Sequence, residues 1–267
     1  MKSYLRTSLL RRTVASLLIA TASLAPLTIA HAQSQTLALF DFAGSSTSSS
    51  ATPVDNLDVS FLAPGDFTGA DDGRYGSNTN GYFSRAANST GVGFLATSKD
   101  DALTLGDYVE FSLTPTNSDV LSLDKLTLKL GNQRGSVSTE TAVAAFTVHF
   151  FVRASFDDFQ SYQELIADTT SSRSAKAAGA SGNGTSVSLS TVTIDFASLA
   201  DFQNIDTSVT FRIYAFIETT ERHSSQMAYF VGKGTELTGT VTAVPEPATW
   251  VILAGIAGLA VACLRRR

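Results

Sequence analysis

Catalysis needs side chains that can donate, accept or ligate, gathered in number, and outside its ends this chain offers few. Its body holds two histidines, His149 and His223, and the one cysteine of the chain, Cys263, lies near the C-terminus. Thiol nucleophiles and thiolate metal sites are therefore absent from the body, and so are disulfides. No H-E-x-x-H, G-x-S-x-G or P-loop pattern occurs. His149 falls on the face opposite Phe150 and Val152 of an alternating segment, where a solvent-facing strand histidine is the simplest reading. His223 falls in the polar turn Thr219–Gln226. Carboxylates pair at Asp71–Asp72, Asp100–Asp101 and Asp157–Asp158. Adjacent residues of a strand point to opposite faces, so these are not preset acid/base pairs. A glycosidase would need two carboxylates about 5–9.5 Å apart in space. The residues favour a protein that is not an enzyme, with a glycoside hydrolase as the third alternative.

Two binding chemistries remain. Hard cations take oxygen ligands from loop carboxylates, and Asp66, Asp71 and Asp72 lie in a Gly-rich segment that could supply them, although without EF-hand spacing. Calcium is thus the one candidate cofactor. Sugar rings stack on aromatic side chains. Tyr75, Tyr82 and Phe83 fall in the polar segment Gly73–Gly91, read as a loop, and are the candidate sugar-binding residues; capping one end of the core is their alternative role.

The elements that must position these groups read as strands. Period-two alternation recurs in Thr36–Phe42, Leu57–Ala63, Asp107–Leu113, Leu121–Leu130, Ala144–Phe156, Val187–Phe196, Val209–Glu218, Met227–Val231 and Glu236–Ala243. One face meets a core and the other meets water. Leu126, Leu128 and Leu130 share a face, as do Phe146, Val148, Phe150 and Val152. Ala197–Asn204 is the best candidate for a short helix. The segments Ala43–Pro53, Gly73–Gly91 and Thr169–Ser186 are rich in Gly, Ser and Asn and read as loops. The expected fold is all-β: a single jelly-roll-like antiparallel β-sandwich over residues 33–243.

The ends are of another kind. Lys2, Arg6, Arg11 and Arg12 precede an apolar run from Val14 to Ile29, and Ala30-His31-Ala32 offers a signal peptidase site before Gln33. Residues 1–32 are expected to be a signal peptide, with Ala30 and Ala32 as its cleavage residues. Ala248–Leu264 is a run of 17 residues without charge, about 25 Å as a helix, just long enough for one membrane crossing. Arg265, Arg266 and Arg267 fix its direction, since positive charge stays cytoplasmic. Pro245-Glu246-Pro247 must be extended, because both prolines exclude a regular helix or strand interior. Glu246 removed from the 24 acids, and four leader and three tail bases from the 19, leave 23 acids against 12 bases: a body charge near −11. No basic patch for nucleic acid remains.

Val244-Pro245-Glu246-Pro247-Ala248, the apolar run and the closing arginines resemble the PEP-CTERM sorting signal of Gram-negative bacteria. The resemblance covers residues 244–267. It implies recognition by an exosortase-type processing enzyme, membrane anchoring before processing, removal of the tail near the motif, and association with exopolysaccharide or biofilm. It implies nothing about the body. The expectation is a secreted surface or matrix protein exported by Sec, held at the inner membrane with its body outside the cytoplasm and then processed. A carbohydrate-binding module for matrix polysaccharide is the alternative.

Overall fold

The computed structural model describes residues 33–40, 54–62, 82–87, 95–106, 108–135, 137–180, 188–232 and 234–244. They belong to one compact unit that begins at Gln33. Two antiparallel sheets make it, as the alternation predicts. One sheet runs β2 (Leu57–Leu62), β4 (Tyr108–Pro115), β9 (Val209–Thr219), β6 (Phe146–Ser155), β7 (Gln163–Arg173). The other runs β1 (Gln35–Phe40), β11 (Thr235–Thr242), β5 (Val120–Arg134), β10 (Gln226–Gly232), β3 (Tyr82–Ala86), with β8 (Ser188–Asp195) on the far edge of β5.

Register explains this order. Tyr229 lies opposite Gly131 and Glu236 opposite Thr127, so β10 and β11 follow one another along the same edge of β5. Along β5 the buried positions change parity: Leu121 and Leu123 point inward, then Leu126, Leu128 and Leu130. A bulge causes the change. Lys125 pairs with Thr238 and Leu123 with Gly239, which leaves Asp124 as the extra residue. Without it, the register slip would turn one of the two leucine sets to water.

The inner faces meet over a chain of phenylalanines. Ring centres lie 5.1 Å apart for Phe40–Phe111, 5.0 Å for Phe111–Phe211, 5.8 Å for Phe196–Phe211 and 4.7 Å for Phe196–Phe202. Each of these rings is fully buried, contributing about 1.5–3 kcal/mol by removal from water. Phe202 belongs to a 3-10 turn, Ala200–Phe202, inside the segment expected to be helical.

Three expectations need correction. Tyr82 and Phe83 are not in a loop: they open β3, opposite Gly232 and Val231. Thr169–Arg173 is not loop either, because β7 continues through it. As an edge strand, β7 buries little and so shows no apolar alternation. A helix, α1 (Lys99–Leu105), was not foreseen. Ser98 caps it by accepting from the Asp101 N–H, and Gly106 closes it at φ 70°, a left-handed conformation suited to glycine. The expected signal peptide with Ala30 and Ala32, Asp66, Asp71, Asp72, Tyr75, Pro245–Pro247 and the expected C-terminal span with Arg265–Arg267 lie outside the described residues. Among the described residues no helix is long and apolar enough to cross a membrane.

Candidate functional site

The outer face of the five-stranded sheet gathers most of the polar and aromatic chemistry of the body, and it has two halves. In the first, Arg153 of β6 and Arg212 of β9 stand directly opposite each other. Like charges in that register repel unless each is neutralised. The Arg212 Nε donates to Glu110 Oε2 at 2.7 Å. The Arg153 Nη2 lies 3.5 Å from Glu164 Oε2, which also accepts from Lys99 Nζ at 2.7 Å. That lysine bond, with the positive charge beside it, holds the Glu164 carboxyl below the usual glutamate range.

Rings cover both guanidiniums. The connection after β6 turns back through Asp158 and Phe159, both at positive φ. It lays Phe159 over Arg212, with the guanidinium carbon 3.7 Å from the ring centre, and Tyr162 over Arg153 at 3.9 Å. Phe151 and Tyr214 stack in parallel at 4.7 Å, and Tyr108 lies 5.1 Å from Tyr214. Ala102 of α1 joins this cluster. Burial pushes the phenols of Tyr108 and Tyr214 above the ordinary tyrosine value.

The second half is open. His149 stacks on Phe216 at 4.5 Å and 7°. Its Nδ1 lies 3.1 Å from both oxygens of Asp168, and its Nε2 3.3 Å from Glu218 Oε2. With a carboxylate against each nitrogen, neither is placed to take a proton from a hydroxyl, so the ring does not form a nucleophilic triad. His149 thus lies on the outer face, as the sequence indicates, but held between carboxylates and against a ring. Beyond it lies a groove of about 540 Å³ lined by Thr147, Ser172, Arg173, Glu218, Thr219 and Thr220, among others. It sits where β6 begins and where β7 and β9 end. Among the described residues no group of three His, Cys, Asp or Glu side chains is arranged to hold a metal.

The exit of the chain is at the opposite end. Thr242 pairs with Val120 at the start of β5, and Ala243 and Val244 beyond it are exposed. The start of β1 lies at this end too, with Gln35 opposite Gly239. Only those two exposed residues separate the last strand from Pro245.

Residues 243–267 match the family model of the PEP-CTERM protein-sorting motif. The chain carries this sorting signal. The signal marks an exported protein, sorted and processed at the membrane by an exosortase. No curated protein sequence matches the chain. Among solved structures, a carbohydrate-binding module specific for non-crystalline cellulose is similar over 58% of this chain and 74% of its own, at 12% identity and a TM-score of 0.30. A structure of carbohydrate-binding modules from the β-sandwich superfamily, described as promiscuous in specificity, is similar over 68% and 57%, at 8% identity and 0.23. Likeness of this degree assigns neither a ligand nor a site.

Sequence reasoning recognised the sorting motif, whose match begins where β11 gives way to exposed chain. It did not foresee the outer-face cluster. Arg153, Glu164 and Tyr162 are scattered through the sequence, as are Thr147, Arg173 and Glu218, and only strand pairing brings each set together.

Proposed function

We propose that this is a non-enzymatic protein of the cell surface or extracellular matrix, associated with exopolysaccharide. It is exported by Sec, held briefly by residues 248–264 and released or transferred after processing near Pro245-Glu246-Pro247. The observation that carries this reading is the match of the sorting motif to residues 243–267, directly after the last strand. A processing enzyme needs an accessible backbone outside regular structure; Ala243 and Val244 are exposed, and the two prolines that follow in the sequence disfavour a helix or strand interior. The body supports it as a self-contained sandwich. Its first and last strands, β1 and β11, are neighbours in one sheet, which supports the jelly-roll-like winding we infer. Changing Pro245-Glu246-Pro247 to alanines is expected to leave a full-length species in the membrane fraction of the host. Equal processing of variant and parent would overturn the reading.

A second reading, carbohydrate binding by the body, is favoured by the groove of about 540 Å³ at the end of the outer face, lined in part by Thr147, Ser172, Thr219 and Thr220. Calcium held by Asp66, Asp71 and Asp72 would support it. In that case a chelator lowers the melting temperature, and an unchanged melting temperature removes calcium from the account.

A further inference from the structure

A smaller cavity, of about 180 Å³, lies between the end of β6, the start of β7 and Asp201 of the 3-10 turn. The groove is at the other end of β6, beside Phe146 and Thr147. From Thr147 to Ser155 that strand covers roughly 25 Å at about 3.3 Å per residue, so the two openings are separate. The walls of the cavity are fixed by the fold. Asp157 holds the connection after β6 by accepting from Ser155 Oγ at 2.8 Å, from the Ser161 N–H at 2.9 Å and from Ser161 Oγ at 2.6 Å. The 3-10 turn is anchored by the buried Phe202, whose ring centre lies 5.3 Å from that of Phe156. Gln203 Nε2 ties it further by donating to the Leu123 carbonyl at 2.9 Å.

Those bonds engage both serine hydroxyls of the cavity. Three other groups of its wall keep binding capacity. Tyr162 rests one face on Arg153, yet the residue is 53% exposed, so its other face is open. The Gln163 Oε1 is buried without a hydrogen-bond partner among the described residues. The Asp201 carboxylate is exposed and has no hydrogen bond or ion pair among them. A buried acceptor without a donor destabilises the fold, and a ligand hydroxyl that reaches it offsets the cost.

We propose that this cavity binds one sugar unit of a neutral polysaccharide. The C–H face of the sugar ring lies on the open face of Tyr162. Two neighbouring hydroxyls donate to the two oxygens of Asp201, in bonds that its charge strengthens. A further hydroxyl donates to Gln163 Oε1. Arg153 holds the tyrosine ring in place, so little freedom is lost on binding. Charge decides between classes of sugar. Asp201 and the net negative charge of the body oppose a carboxylate-bearing unit. An amino sugar gains little from the ring, because Arg153 already draws on the π electrons of Tyr162 from behind. An exposed carboxylate adds little more for an ammonium in water.

Saturation-transfer NMR on the full chain in detergent reads which sugar hydrogens touch the protein. The probes are the methyl glycosides of glucose, mannose and galactose, whose methyl group stands for the chain linkage, with glucuronate and glucosamine as charged controls. At least one neutral glycoside is expected to receive saturation, strongest on the ring hydrogens of one face. Tyr162→Ala and Asp201→Asn are each expected to weaken binding about tenfold. Asp201→Asn keeps the shape of an exposed side chain, so its effect is not one of folding. Thr220→Val, in the groove, is expected to change nothing. Binding unchanged in both cavity variants overturns this site, and its loss in Thr220→Val would then place the sugar in the groove. Stronger transfer to either charged sugar overturns the neutral class. Transfer to none of the probes overturns the proposal.

Discussion

The two arginine pairs of the body make opposite use of the same side chain. Arg153 and Arg212 face each other across β6 and β9, and each has its own glutamate and its own ring above it. Arg134 and Arg173 close a seam beside an open groove, where Arg134 reaches a carbonyl and Arg173 an amide oxygen. The first pair is neutralised and covered within the fold, and so serves packing. The second ties the end of β7 to β5 and to Ser174, and so joins the two sheets. The same side chain thus works within one sheet in the first pair and between the sheets in the second.

The comparison can be broken from the core outward. Phe211→Ala removes a fully buried ring between the sheets and should cost about 3–5 kcal/mol, read by chemical denaturation. Both arginine pairs should be lost with it. Smaller effects follow at the two ends. A Cβ on Gly131 would lie 1.9 Å from the Ser188 carbonyl oxygen, and one on Gly239 would lie 2.3 Å from that of Ser122. Each glycine permits close backbone approach, so alanine at either should destabilise by about 1–3 kcal/mol. Gly131→Ala disturbs the pairing of β5 with β8, and Gly239→Ala the pairing of β11 with β5 at the exit end, so the two losses should add in the double variant. A double variant that departs from the sum would show that the ends are not independent.

Within the covered pair, Arg212→Gln leaves Glu110 partly buried without its cation and should cost about 1–3 kcal/mol in thermal or chemical unfolding. The smallest effect is that of pH. The Glu164 carboxyl is held below its unfolded value by Lys99, so its contribution is fully present above the usual glutamate range and fades as pH falls through the lowered value. Glu164→Gln should remove that part of the acid dependence, under about 1 kcal/mol for a partly exposed pair. A variant with the parent's acid profile would show that the pair does not stabilise the covered half.

Much of the fold was legible because the buried strands alternate. Leu126, Leu128 and Leu130, and Phe146 through Val152, announced their inner faces, whereas the bulge at Asp124 emerged only from the pairing of β5 with β11. β3 and β7 were not legible, since each is an edge strand with one neighbour and little apolar alternation is required of it. For α1 the signal was present: Ser98 before Asp100 and Asp101, with Gly106 seven residues after Lys99, carries a cap at each end. Its seven residues are too few for helical periodicity to stand out. The sorting motif was legible because it works as a linear sequence. The groove was not, because Thr147, Arg173 and Glu218 come from three strands and meet only through pairing.

The central claim, that this chain is exported and trimmed at both ends, is tested most directly by the intact mass of the protein released by its host. The account predicts a species that begins at Gln33 and ends close to Val244, allowing for any added glycan. A released species that keeps residues 245–267, or one that keeps residues 1–32, would contradict it.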